Sequence, residues 1–169
     1  MERWGIEVHK QYLKFSAAHF LIFPDGEAER LHGHNYRVFV EVGAALGEHG
    51  LVIDFKLIKP LVRELVEELD EHWIVPGEHP VLVCRDTGED SVEVRYMDRR
   101  YVAPRSDVLV LPINNTSSEN LAAWLGRELR RRIAARFADV RLERLRLAVE
   151  ETEGQRGVYE FTADDADPE

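Results

Sequence analysis

The stretch HGHNYRVFVEVGA, residues 32–44, decides the fold. Tyr36, Val38, Val40 and Val42 recur at a spacing of two among β-branched and aromatic residues, which marks a strand with one apolar face. The same period puts His32 and His34 on that face, and Gly33 between them leaves the opposite face bare. Imidazoles at i and i+2 stand about 7 Å apart at their Cα atoms, close enough to chelate one ion. Working upstream, IEVHKQYLKFSAAHF (6–20) predicts a second strand, free of Gly and Pro, in which Phe15, Ala17 and His19 point one way. The loop FPDGEAER (23–30) between them holds a Pro-Asp-Gly turn signal, so the two strands pair antiparallel. His19 can then reach the ion from the neighbouring strand. Three neutral imidazoles leave the fourth position of zinc open, the arrangement of a catalytic site, where a bound water or hydroxyl falls to a pKa of about 7. His9, His49 and His79 are read as ordinary hydrogen-bonded residues.

Downstream, Leu57, Ile58, Leu61, Val62, Leu65, Val66 and Leu69 draw one helical stripe, capped by Asp54 and ending near Asp70. Pro60 falls in the second turn, later than a helix start favours. Residues 76–106 carry three prolines and two short β-like runs, SVEVRY and RRYVA, which predict a hairpin in an insertion. Val108 to Leu111 predicts a short strand. Thr116-Ser-Ser-Glu119 predicts a capping box, with the Thr116 hydroxyl at the cap. The helix it opens carries Leu121, Leu125, Leu129, Ile133 and Phe137 on one stripe. Strands near 142–150 and 157–162 complete an α+β chain: a four-stranded antiparallel sheet with two helices on one face. Residues 1–163 are read as one domain and 164–169 as a frayed acidic tail.

Composition narrows the function classes. A formal net charge of -10 argues against a sequence-independent grip on nucleic acid, which needs clustered cations. Arg127, Arg130, Arg131 and Arg132 are read as the wet face of a helix. No apolar run approaches the ~18 residues of a membrane span, and Met1 to Lys10 has no apolar core of a secretory signal. The single cysteine, Cys84, makes a reducing, cytoplasmic setting the expectation.

Six ordered blocks carry a family resemblance: FSAAH (15–19), LHGHNY (31–36), GLVIDF (50–55), ELD (68–70), TSSENLA (116–122) and VEET (149–152). Together they span nearly the whole chain except roughly 76–110, and they resemble the 6-pyruvoyltetrahydropterin synthase and 6-carboxytetrahydropterin synthase family. The resemblance implies a T-fold subunit and a homohexamer, a dimer of trimers whose sheets close into a barrel with active sites between subunits. It implies that His19, His32 and His34 hold Zn2+, and that Glu151 anchors a pterin. One carboxylate can accept from the adjacent amino and ring N–H donors of a pterin as a bidentate pair. Ser117 and Ser118 fall where the family places hydroxyls near the pterin; helix capping explains them equally well. For Glu150 the expectation is an exposed strand carboxylate.

Two departures bear on the reaction. The family's usual base is a cysteine four residues before the first histidine of HGH, and that position is Ala28. Glu29 stands three residues before His32, which resembles a branch in which glutamate replaces the cysteine. That branch is associated with cleaving the side chain of 7,8-dihydroneopterin triphosphate to 6-hydroxymethyl-7,8-dihydropterin. Glu29 is therefore either a general base or a solvated loop charge between Glu27 and Arg30. Many relatives carry an Asp-His proton relay after the first helix; this chain has Asp70, then Glu71, then His72. A local shift can return His72 to that role, or His72 is a cation at the helix C-terminus. The reading is a zinc lyase with Glu29, Asp70 and His72 as catalytic candidates. Formation of the 6-pyruvoyl or 6-carboxy product, and a non-catalytic pterin binder, are the alternatives.

Overall fold

The computed structural model describes residues 2–88 and 90–163. The acidic stretch 164–169 lies outside the described residues. β1 (Gly5–Val8), β2 (Lys14–His19) and β3 (His32–Ala44) open the chain. β3 is the spine of the sheet, and its bounds match the quoted stretch. Its first half pairs antiparallel with β2, from Lys14↔Arg37 to His19↔His32. Its second half pairs with β1, from Gly5↔Gly43 to Val8↔Val40. The single strand expected over 6–20 is thus two strands. Residues 9–13 face only Val38 and Phe39, so the surplus residues fold out as a turn closed by Leu13 N–H on the Lys10 carbonyl at 3.0 Å.

On its other edge β3 pairs with β9 (Leu142–Thr152), which forms a hairpin with β10 (Gln155–Thr162). Beyond β2 lie two parallel strands, β4 (His72–Pro76) and β8 (Val108–Leu111). The sheet runs β10-β9-β3-β2-β4-β8 with β1 beside β3, seven strands in all. The expected four-stranded antiparallel sheet is therefore enlarged and mixed. The largest surprise is β4, because HWIVP follows the first helix after a turn of only four residues, 68–71.

Both helices, α1 (Phe55–Glu67) and α2 (Ser118–Arg136), cover the face that presents Phe15, Tyr36, Val38, Val40, Leu147 and Val149, and the main core lies between them. Asp54 caps α1, accepting the Lys56 N–H at 2.7 Å. Pro60 sits inside α1. Leu57 is exposed, so the apolar stripe begins at Ile58. The cap of α2 is Ser117, which accepts the Asn120 N–H at 3.3 Å. Thr116 is fully buried and bonds elsewhere, so the expected cap is off by one residue. At Gly157 on β10 a Cβ would lie 2.2 Å from the backbone of Ser118 and Glu119, so only glycine lets the start of α2 lie this close to the sheet. Of the expected arginine face, Arg131 pairs with Glu128 and Arg132 with Glu68 of the α1 cap, while Arg130 lies over the Phe161 ring; Arg136, one turn on, pairs with Glu64. No helix among the described residues is long and apolar enough to cross a membrane.

The 76–106 segment builds a second antiparallel sheet from β5 (Val83–Asp86), β6 (Ser91–Tyr96) and β7 (Arg99–Pro104), which contains the expected hairpin. Val92, Val94 and Tyr96 bury against Phe20, Ile22, Trp73 and Val75. Ile74 belongs to the helix-side core, while its neighbours Trp73 and Val75 belong to this second one. Because side chains alternate along a strand, the small sheet covers the face opposite the helices.

Candidate metal centre

His19 and His32 are direct partners in the β2–β3 ladder, and His34 lies opposite Ala17 two rungs away. Register alone therefore brings the three rings together, with centroids 4.8 to 5.3 Å apart. Their ligand atoms all lie within 4.8 Å of one another, with His19 buried and the other two half-buried. Two of the rings are oriented from behind. The His19 Nδ1 lies 3.1 Å from the Thr116 carbonyl, and the His32 Nδ1 lies 2.7 Å from the Arg30 carbonyl. A carbonyl only accepts, so each Nδ1 carries the proton and each Nε2 presents a lone pair. Carbonyl-oriented rings of this kind are typical behind metal-ligating histidines.

The donor set fits a cation. The Nε2 atoms of His32 and His34 face each other at 3.0 Å. A hydrogen carried on His34 Nε2 or a cation held between the two rings satisfies that approach. Nitrogens around tetrahedral zinc stand about 3.3 Å apart, given bonds of about 2.0 to 2.1 Å, so small ring rotations suffice. Burial holds the pKa of His19 below its usual value despite the opposing pull of Glu151, which keeps its lone pair available.

Two carboxylates border the trio. Glu151 places Oε1 3.4 Å from His19 Nε2 and 3.8 Å from His34 Nε2. Glu29 places Oε2 3.9 Å from His32 Nε2 and accepts the Leu21 N–H at 3.1 Å. The Glu29 side chain keeps about a third of its surface exposed, 33%, and its carboxylate is turned to the imidazoles. Tyr36 completes the group. Its hydroxyl lies 3.0 Å from His19 Nε2 and donates to Glu151 Oε1 at 3.3 Å. Burial, reinforced by Glu151, drives its pKa far upward, so it remains a neutral donor. Tyr36 stands two residues after His34 on the same face of β3, and that spacing is its signal in the sequence.

The remaining candidates are placed unevenly. Asp70 lies in the turn after α1, and its Oδ1 accepts the Ser16 N–H at 2.7 Å. Glu71 takes a left-handed φ of 59°, which absorbs the extra residue and delivers His72 to the first position of β4. The helix-terminal cation reading of His72 is thereby corrected. Its Nδ1 meets the backbone carbonyl of Asp70 at 2.7 Å rather than the carboxylate, so the two do not form a side-chain pair here. His72 and His34 both line an open cavity of about 500 Å³. Ser117 serves as the α2 cap, and the Ser118 hydroxyl donates to Glu119 at 3.4 Å. Glu150 is corrected too. It points to the opposite face from Glu151, is 3% exposed, and pairs with Arg37 at 3.1 Å and Arg156 at 2.8 Å. Burial alone would raise its pKa, but bonds from Arg156 and the Gly154 N–H, with Arg37 nearby, hold it below the usual carboxylate value.

With this geometry in place, comparison with known proteins is informative. A family model described as 6-pyruvoyl tetrahydropterin synthase matches residues 7–161. The chain belongs to that family. Curated relatives of this synthase-family chain include a putative 6-carboxy-5,6,7,8-tetrahydropterin synthase of Methanocaldococcus jannaschii, 35% identical over 122 residues, covering 72% of the chain and 74% of the relative. A protein of the same name from Pyrococcus abyssi is 28% identical over 132 residues, covering 76% and 77%. Among solved structures, the 6-pyruvoyl tetrahydropterin synthase of Plasmodium vivax superposes with a TM-score of 0.88 at 27% identity, covering 96% of this chain and 99% of that one. The Plasmodium falciparum enzyme gives 0.89 at 26% identity, with the same coverage. Two further vivax structures carry a catalytic residue changed from glutamate to alanine or to cysteine. These matches establish the α+β T-fold and membership of a lyase family.

Proposed function

We propose that the chain is a zinc-dependent lyase that cleaves the side chain of 7,8-dihydroneopterin triphosphate to give 6-hydroxymethyl-7,8-dihydropterin. The observation that carries this reading is the Glu29 carboxylate 3.9 Å from His32, beside a histidine trio and with Ala28 in the slot of the family's cysteine. The glutamate named as a catalytic residue in the vivax relative supports it. Glu151 accepts the pterin's amino and ring N–H, while Tyr36 holds Oε1 of that carboxylate. Zinc on His19, His32 and His34 supplies Lewis-acid stabilisation for negative charge that develops on the side-chain oxygens. Glu29 takes the proton of the 2′-hydroxyl as the C1′–C2′ bond breaks. C2′ leaves as an aldehyde, the bonding electron pair stays on C1′ in conjugation with the pterin ring, and a proton is returned to C1′. The Asp70 carboxylate and the His72 ring do not pair within one chain, since His72 Nδ1 meets the Asp70 backbone carbonyl, and their part in proton transfer is assigned to the assembled enzyme.

The enzyme works as a homohexamer in this reading, since the open sheet leaves β8 and β10 as terminal strands, and closure into a barrel covers such edges. Cys84 as the sole cysteine suits a cytoplasmic setting. A second reading, 6-carboxytetrahydropterin synthase activity, is favoured by the names of the archaeal relatives. Incubation of zinc-loaded protein with 7,8-dihydroneopterin triphosphate, read by mass spectrometry, separates the two. The expected product is 6-hydroxymethyl-7,8-dihydropterin. A 6-carboxy or 6-pyruvoyl product overturns the lyase assignment, and bound but unchanged pterin points to a non-catalytic homologue.

A further inference from the structure

We propose that the β6–β7 turn is a clamp on the Glu29 segment, with Arg99 as the positioning residue that aims the Glu29 carboxylate at His32. The proposal rests on the role given to Glu29 above. The excursion between β2 and β3 has two legs. Its outgoing leg is tied to the β8–α2 connection: Asn115 donates to the Ile22 carbonyl at 2.8 Å and accepts the Ile22 N–H at 3.2 Å. The return leg, which carries Glu29, is tied to the small sheet instead. Arg99 donates from Nη2 to the Ala28 carbonyl at 2.7 Å and from Nη1 to the Glu29 carbonyl. The Tyr96 hydroxyl donates to the Gly26 carbonyl at 2.7 Å.

The two carbonyls caught by Arg99 belong to the two peptide planes that flank the Cα of Glu29. Peptide units are planar, so fixing both planes fixes the φ and ψ between them. The direction in which the Glu29 side chain leaves the backbone is then set as well. A guanidinium suits this task because its donors form a rigid planar fork, whereas a lysine ammonium is a point donor on a flexible stem. Seventy residues separate Arg99 from Glu29 in the chain. The 76–106 segment thus acts on the reaction through the Glu29 backbone.

The test is a double-mutant cycle on the zinc-loaded enzyme with 7,8-dihydroneopterin triphosphate. Arg99→Met is expected to lower kcat about 10- to 100-fold, as sub-ångström misplacement of a reacting group does, with zinc content and KM nearly unchanged. Arg99→Lys should recover part of the loss. In a Glu29→Gln background Arg99→Met should cost nothing further, because the two act as one unit. Full turnover of Arg99→Met, or equal losses in both backgrounds, overturns the clamp. Failure of the underlying reading looks different: Glu29→Gln is then as active as the parent. In that case hydrogen exchange at the Glu29 amide, bonded to the Leu21 carbonyl at 3.0 Å, decides. Faster exchange in Arg99→Met supports the clamp and unchanged exchange removes it. Should Arg99→Met fail to fold, Tyr96→Phe deletes a single hydroxyl and is expected to cost a few-fold in kcat and to speed the same exchange; no change in either overturns the proposal.

Discussion

The imidazole trio and Glu29 come within 3.9 Å of each other, yet the chain holds them by different means. His19, His32 and His34 stand on rungs of one ladder, so the pairing of β2 with β3 sets their separation. Glu29 stands on a loop whose course depends on side chains from two distant parts of the chain. A ladder opens only when the sheet opens, while a loop can open locally at far lower cost. Metal affinity should therefore resist remote substitutions that turnover does not survive.

The largest effect should come from breaking the ladder side directly. His32→Ala is expected to weaken zinc binding by more than about 100-fold and to abolish turnover, measured by metal analysis and product formation. Glu29→Gln breaks the loop side: kcat should fall about 100- to 10,000-fold, the range for a general base, with one zinc retained per chain. Retained turnover removes Glu29 from the mechanism. Gly157→Ala sharpens the contrast, because a methyl 2.2 Å from the α2 backbone must push aside the segment next to Thr116 and Asn115. A loss of about 2 kcal/mol in denaturant unfolding is expected, with activity falling before zinc affinity.

The smallest effect concerns Glu150, on the face away from the histidine trio. Its folded pKa is depressed, so its contribution is present above the unfolded carboxylate value of about 4.3 and is lost as pH falls through the folded value. Glu150→Gln should cost about 1–2 kcal/mol at pH 7, the scale of charged hydrogen bonds. The gap from the parent should close below pH 4 in acid-unfolding curves. A gap that widens there contradicts the assignment.

What the sequence made legible follows the same division. The alternation in 32–44 marks β3, its facing and the His32–His34 pair, because a period of two is a local property. The break between β1 and β2 was not visible, since five residues opposite two is a fact about register, not composition. β4 escaped because its residues lie directly after α1 and owe their strand form to pairing with β2 and β8. Around the histidine trio, Glu29 could be named but not placed. Its partners Leu21 and Arg99 lie 8 and 70 residues away, and no local pattern encodes such contacts. Thr116 does not cap α2 for a similar reason, its hydroxyl being donated to the Phe20 carbonyl across the fold.

Zinc-edge X-ray absorption on the purified, zinc-loaded protein tests the central claim most directly. One zinc per chain is expected, with three imidazole nitrogens at about 2.0 Å and one light-atom ligand, a pattern kept in Glu29→Gln and lost in His32→Ala. Spectra without imidazole scattering, or no stoichiometric zinc under any loading, would contradict it.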